Sequence, residues 1–106
     1  TEKGNEIVLD KLNSEIKIKD VNKNEISISG GGIDLKSNSN ITIDSSSKIT
    51  LKASSGIELN SDSDISINGA NIQNDAKVKF SAKGSAGSEI SSSAITTVKG
   101  SMVQIN

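Results

Sequence analysis

Apolar residues recur along the chain as pairs that are separated by a single residue. The pairs are Ile7/Leu9, Ile16/Ile18, Ile26/Ile28, Ile33/Leu35, Ile41/Ile43, Ile49/Leu51, Ile57/Leu59 and Ile65/Ile67, followed by Val78/Phe80 and Val103/Ile105. Because side chains alternate across a β-strand, both members of a pair share one face of the strand. Each pair therefore predicts a short strand with one apolar face, and the many β-branched residues disfavour helix.

The spacing of the pairs becomes regular in the middle of the chain. First members lie eight residues apart from Ile33 to Ile65, and Ser, Asn, Asp, Lys and Gly fill the intervals as turn formers. The sequence thus predicts one domain over residues 1–106. We expect irregular repeats at 1–32, regular eight-residue units (octads) at 33–67, and a variant tip region at 68–106.

Octads of this kind are compatible with three all-β architectures. These are a sandwich or barrel, a single-chain solenoid, and a solenoid in which several chains intertwine. Sandwich cores are usually rich in aromatic residues, and Phe80 is the only aromatic residue here. Two apolar side chains per octad stabilise a lone chain poorly, whereas intertwined chains enclose a narrow apolar stripe and pair every strand edge. The pattern therefore favours a multichain prism.

Composition excludes several classes of function. The chain has 12 Lys against 13 Asp and Glu, a net charge of −1, and no Cys, His, Pro or Arg. Thiolate chemistry, disulfides, imidazole bases and the usual transition-metal ligands are therefore absent. A balanced charge also disfavours binding to nucleic acid. We expect a structural or binding protein that is not an enzyme and uses no cofactor or metal.

Three segments imitate motifs of catalysis or ligand binding. Ser45–Lys48 fits Ser-x-x-Lys, but that motif needs a helix and partner motifs, and here a turn is expected. Asp62 and Asp64 form the one conceivable carboxylate pair for acid–base chemistry or a cation, and a solvated turn is the simpler interpretation. Gly30–Gly32 lacks the spacing of phosphate-binding loops and predicts a tight corner.

The C-terminal stretch carries a more specific pattern. Gly84-Ser85-Ala86-Gly87 precedes the ending Thr97-Val98-Lys99-Gly100-Ser101-Met102-Val103-Gln104-Ile105-Asn106. This ending resembles the C-terminal tip of the VgrG (valine–glycine repeat) spike proteins of bacterial type VI secretion systems. The octads are similar to the triple-stranded β-helix of these proteins and of contractile phage tail spikes.

The resemblance implies a homotrimer of three parallel chains, wound into an intertwined triple-stranded β-helix that punctures a target membrane. The N-terminal end of such a needle joins an OB-fold base and tube proteins, which this sequence does not include. The C-terminal end binds a PAAR-repeat tip protein. The needle is bacterial and is secreted by the injection machine itself, without a signal peptide.

The pattern and the resemblance together assign two sets of residues. The expected trimer core is Ile33, Leu35, Ile41, Ile43, Ile49, Leu51, Ile57, Leu59, Ile65, Ile67, Val78 and Phe80. The expected PAAR-binding surface is Ser101, Met102, Val103, Gln104, Ile105 and Asn106. Two alternatives remain: a single-chain β-solenoid that acts as a binding or adhesin module, and the spike of a related phage tail or extracellular contractile injection particle.

Overall fold

The computed structural model describes residues 1–106 and is all-β. One antiparallel sheet contains four strands in the order β1-β2-β3-β4: β1 (Glu6–Asp10), β2 (Glu15–Lys19), β3 (Glu25–Ser29) and β4 (Gly32–Lys36). The first four apolar pairs lie at the centres of these strands, as predicted, whereas the other six pairs lie outside any strand of the single chain. The chain has no helix, and therefore none with the length and apolar character needed to cross a membrane. It consists of two compact units, Thr1–Ile57 and Glu58–Asn106.

Aspartates close the first two hairpins of the sheet. The Asp10 carboxylate accepts hydrogen bonds from the backbone N–H of Asn13 at 3.1 Å and from its Nδ2 at 2.8 Å. Asp20 accepts the backbone N–H groups of Asn22 and Asn24, both at 2.9 Å. Hydrogen bonds to a carboxylate favour its ionised form. The backbone N–H groups of Asn13 and Asn24 accordingly hold the pKa values of Asp10 and Asp20 below their ordinary values.

The third hairpin joins β3 to β4 through the two-residue loop Gly30–Gly31. Ser29 pairs with Gly32 at the base of this loop, and the Gly31 N–H donates to Ser29 Oγ at 3.3 Å. Gly32 has a φ of 115°, which glycine adopts readily and other residues do not. The glycine run that predicts a tight corner is therefore a hairpin turn.

The register places apolar side chains opposite one another across all four strands. Two rows result, Ile7–Ile18–Ile26–Leu35 and Leu9–Ile16–Ile28–Ile33, and we call these eight residues the apolar sheet face. Its members range from 40% exposed at Ile26 to 76% exposed at Leu9, which shows that no second layer covers this face. A sheet with one apolar face needs another layer of structure to bury that face. The sheet of a single chain is therefore incomplete.

The opposite face of the sheet carries paired charges. One row across the four strands alternates acid and base in register, and consists of Glu6, Lys19, Glu25 and Lys36. Lys19 Nζ lies 2.9 Å from the Glu6 carboxylate, and this hydrogen-bonded ammonium lowers the pKa of Glu6. Lys17 Nζ lies 2.9 Å from Glu15, which raises the pKa of Lys17. This charged face is suited to contact with water.

After β4 the backbone is extended and bends at regular intervals. The bends lie at residues 38–39, 46–47, 54–55, 62–63, 70, 77–78, 85–86, 93–94 and 101–102. Successive bends begin eight residues apart, except for one step of seven between 70 and 77. The backbone therefore keeps the octad spacing beyond Ile67, where the apolar pairs lose theirs.

Residues 37–106 form no backbone-to-backbone hydrogen bond. Outside the sheet, such bonds join only Gly4 to Thr1, and Asp20 to Asn24 and Lys23. Every side chain from residue 38 onward is exposed, and the whole chain has no buried apolar residue. Strands are stable when their backbone groups pair with neighbouring strands. A single chain does not supply these neighbours for the octads.

Candidate functional site

Every bend after β4 follows a small residue. We call these nine positions the corner column, and they are Ser37, Ser45, Ala53, Ser61, Gly69, Ala76, Gly84, Ser92 and Gly100. At the four serines the hydroxyl oxygen accepts the backbone N–H two residues further on, at 3.1–3.2 Å. Serine therefore closes the corner with its own side chain. The hydroxyl of Ser45, the first residue of the Ser-x-x-Lys match, serves in this way as a turn acceptor.

The glycine corners leave little space for a side chain. A Cβ added at Gly84 would overlap the carbonyl oxygen of Gly87. At Gly100 it would lie 3.0 Å from the carbonyl oxygen of Met102, again closer than ordinary van der Waals contact. The corner at Gly84 therefore has no room for a Cβ, and at Gly100 the neighbouring carbonyl would have to move by a few tenths of an ångström to admit one.

Between corners, four octads present equivalent apolar pairs. The first members, Ile41, Ile49, Ile57 and Ile65, are 50–55% exposed, and the second members, Ile43, Leu51, Leu59 and Ile67, are 66–69% exposed. Equivalent residues of the four octads therefore have nearly the same exposure. Each octad offers the same two half-exposed aliphatic side chains to whatever packs on it.

The seven-residue unit 69–75 changes the numbering of equivalent positions. From Ile33 to Ile67 the paired apolar residues are odd-numbered. Beyond the short unit, the positions four and six residues after a corner are even-numbered, and Phe80, Ile90 and Val98 occupy three of them. Because side chains alternate along an extended chain, the removal of one residue exchanges the two faces. The short unit therefore accounts for the shift of Phe80, Ile90 and Val98 to even numbers, whereas polar residues such as Gln73 and Asp75 at the equivalent positions end the pairing itself.

The residues predicted to form a trimer core lie in two settings. Ile33 and Leu35 belong to β4 and to the apolar sheet face. The other ten, from Ile41 to Phe80, lie in extended backbone beyond β4, and all twelve are exposed in the single chain. The assignment left out the six apolar residues of β1 to β3 on the same face. The sequence marks these six residues by the same alternation of apolar and other residues that marks the octad pairs.

The predicted tip residues, Ser101–Asn106, follow the last corner residue, Gly100. After the bend at 101–102 the chain is extended, with Val103 51% and Ile105 89% exposed. Val103 and Ile105 are separated by Gln104 and therefore share one face of this extended segment. The segment thus presents two apolar side chains side by side.

A side-chain junction connects the sheet to the first corner. Asn24 Oδ1 accepts hydrogen bonds from Ser37 Oγ at 2.9 Å and from the Asn38 N–H at 3.1 Å. The Nδ2 group of Asn24 donates to Asp20 Oδ2 at 3.0 Å, which orients the amide. Sequence reasoning missed this junction, because the bonded residues lie 13 and 14 positions apart and form no local motif.

The arrangement of charged side chains offers no metal centre. No group of three or more His, Cys, Asp or Glu side chains is placed to hold a metal ion. Asp62 and Asp64 lie at and beside an exposed corner, in which the Ser63 N–H donates to Ser61 Oγ at 3.2 Å. The carboxylates therefore flank an ordinary, exposed turn.

Comparison with known proteins does not assign the chain to a family. No protein-family model matches the sequence, and no curated protein matches it significantly. Function is therefore inferred from the uncovered apolar side chains, the corner column and the unpaired backbone.

Proposed function

We propose that the chain is the needle of a VgrG-type spike in a bacterial contractile injection machine. Three parallel copies wind into a triple-stranded β-helix. One observation carries the proposal: residues 37–106 keep the octad bend spacing, with a single step of seven, and form no backbone hydrogen bond within their own chain. Backbone groups of extended segments need strands as partners. Further copies of the same chain supply them.

The octad has a suitable length for one wall of a shared prism. An extended segment of about five residues spans roughly 17 Å, and a corner residue then turns the chain toward the next wall. With two apolar side chains per wall, three walls enclose a narrow aliphatic interior. This interior requires few aromatic residues, in agreement with the single Phe.

A single-chain solenoid is the less favoured alternative. Its coils stack on one another, so that each strand forms a backbone ladder with a strand of the same chain. No such ladder exists from residue 37 onward. This observation favours the intertwined needle over the binding or adhesin function of a single-chain solenoid.

The proposed needle transmits axial force through a closed prism with no free strand edge. Its N-terminal end joins an OB-fold base on tube proteins, and Ser101–Asn106 at its C-terminal end bind a PAAR-repeat tip protein. The pointed assembly then crosses the membrane of a target cell. A phage tail or an extracellular injection particle would use the same design, and the ending Thr97–Asn106 favours the VgrG type.

Light scattering coupled to gel filtration tests the assembly. We expect a species three times the 11.0 kDa of one chain. Because intertwined chains separate only by unwinding, the trimer is also expected to migrate as such in SDS without boiling. A clean monomer at micromolar concentration would refute the proposal.

A matched pair of variants on neighbouring residues tests which side of the octad faces the interior. Ile49→Asp would place three carboxylates around the axis of the prism and is expected to abolish the trimer. Thr50→Asp puts the same charge on the opposite side and is expected to leave the trimer intact. If both variants have the same oligomeric state, the assignment of the inner face is wrong.

A further inference from the structure

The apolar sheet face is an uncovered apolar surface outside the octads. Its eight residues expose on the order of 800 Å², more than a typical apolar patch on a monomer and about the area that one partner buries in a standard interface. Exposure is lowest in the central strands, at 40% for Ile26, and rises in the edge strands to 76% for Leu9 and 75% for Ile33. No side chains therefore pack on the apolar sheet face, and no further strand lies beside β1 or β4.

We propose that this face is a second self-association surface. The same face of two further copies packs against it, so that three sheets of residues 6–36 close around a common centre. The inference rests on the proposed function for the number of copies. It adds to that function an assembly element made of antiparallel strands, which the octad repeat does not contain.

The chemistry of the sheet favours copies of this chain over a partner of another kind. The apolar sheet face consists only of Ile and Leu, so it offers no hydrogen-bonding or charged side chain to a ligand. On the opposite face Lys17 lies 2.9 Å from Glu15 and 3.8 Å from Glu25, and the alternating row has as many acids as bases. This row therefore has no excess charge that would attract an acidic or a basic partner.

The apolar sheet face is continuous with the first octad. A groove is lined by Ile18, Ile26 and Leu35 of one row together with Ile41 of the octad. The hydrogen bond between Ser37 and Asn24 holds the octad beside the sheet at this point. A copy that packs on Ile41 therefore also reaches the apolar row.

Single cysteines in the full chain test the proposal, because the natural sequence has no Cys. Ile26→Cys puts a thiol on the apolar sheet face, Lys17→Cys puts one on the charged face, and Ile49→Cys puts one in an octad. Diamide is the oxidant, and non-reducing gels report disulfide-linked pairs of chains. We expect Ile26→Cys to cross-link at least about tenfold faster than Lys17→Cys, because only thiols that meet react readily. Ile28→Cys provides a second position on the face.

The outcomes separate this proposal from the proposed function. A trimer in which Ile26→Cys and Ile28→Cys cross-link no faster than Lys17→Cys overturns the sheet interface and leaves the octad prism in place. Rapid cross-linking at Ile26→Cys with none at Ile49→Cys supports the sheet interface and overturns the octad prism. A monomer with no cross-link at any position overturns both.

Discussion

Ser37 and Asn24 are joined by a 2.9 Å hydrogen bond from the serine hydroxyl to the side-chain carbonyl of the asparagine. The same carbonyl accepts the N–H of Asn38 at 3.1 Å. This contact lies where antiparallel pairing ends and the octads begin. A single asparagine side chain, and no backbone pair, therefore fixes the transition between the two kinds of structure.

Asn24→Ala is expected to release the first corner from the sheet. The variant loses both bonds to residues 37 and 38, each of which stabilises by about 1 kcal/mol, so hydrogen exchange of the Asn38 amide is expected to accelerate. Asn22→Ala is the matched control, because the Asn22 side chain also donates to Asp20, at 3.2 Å, but makes no bond to residue 37 or 38. Equal Asn38 exchange rates in the two variants would argue against the junction.

Acid is expected to loosen the same turn. The backbone N–H of Asn24 holds the pKa of Asp20 below its ordinary value of 3.8. A group with a depressed folded-state pKa contributes its full stabilisation above the unfolded-state pKa, and loses it as pH falls through the folded-state pKa. The Asn24 amide shift should therefore titrate with a midpoint below 3.8, and this titration should disappear in Asp20→Asn. A midpoint at or above 3.8 would show that the carboxylate does not hold the turn.

Gly84→Ala is expected to destabilise the assembled protein by about 1–3 kcal/mol, the usual effect of overpacking. The new methyl group would overlap the Gly87 carbonyl oxygen, so the corner must open. Gly87→Ala serves as the control, since a Cβ there meets no atom within 4 Å, and its effect should stay within about 0.5 kcal/mol. Thermal unfolding of both variants under the same conditions gives the comparison. Similar midpoints would indicate that the corner adapts to a side chain.

Val103→Asp combined with Ile105→Asp is expected to abolish binding of a PAAR-repeat protein while the trimer stays soluble. The two carboxylates replace the adjacent apolar side chains of the predicted tip, and burying them in an interface is unfavourable. Asn71→Asp combined with Asn74→Asp adds the same two charges in the unit 69–75 and should leave binding unchanged. A pull-down with the purified tip protein measures both. Retained binding by the first double variant would move the docking surface elsewhere.

The strands of the sheet were predictable, whereas their pairing was not. The alternation in Ile16/Ile18 and Ile26/Ile28 locates β2 and β3 by itself. The reversal between them depends on the Asp20 carboxylate, which gathers backbone N–H groups of a turn that also contains Lys23 at a φ of 68°. An octad model gives each pair the same role, and so it does not anticipate that the first four pairs fold back on one another.

The regularity of the last third was hidden for a different reason. Apolar residues mark the repeat, and the unit 69–75 is one residue short. Phe80 and Val98 lie as far from their corners as Ile65 and Ile67 do from theirs, but they no longer lie a multiple of eight residues from them. The corner column carries the repeat more faithfully, because every corner needs a small residue whichever side chains face inward.

The corner column also determines which insertions and deletions the chain can tolerate. Adding or removing a whole octad preserves the alternation of faces on either side of the change, because eight is an even number. A change of one residue inverts that alternation for everything that follows. The unit 69–75 is such an inversion, and Phe80, Ile90 and Val98 lie at the exchanged positions, whereas Val103 and Ile105 do not. Relatives of different length should therefore differ by multiples of eight residues. Where they differ by a single residue, the apolar residues that follow should move from odd-numbered to even-numbered positions, or the reverse.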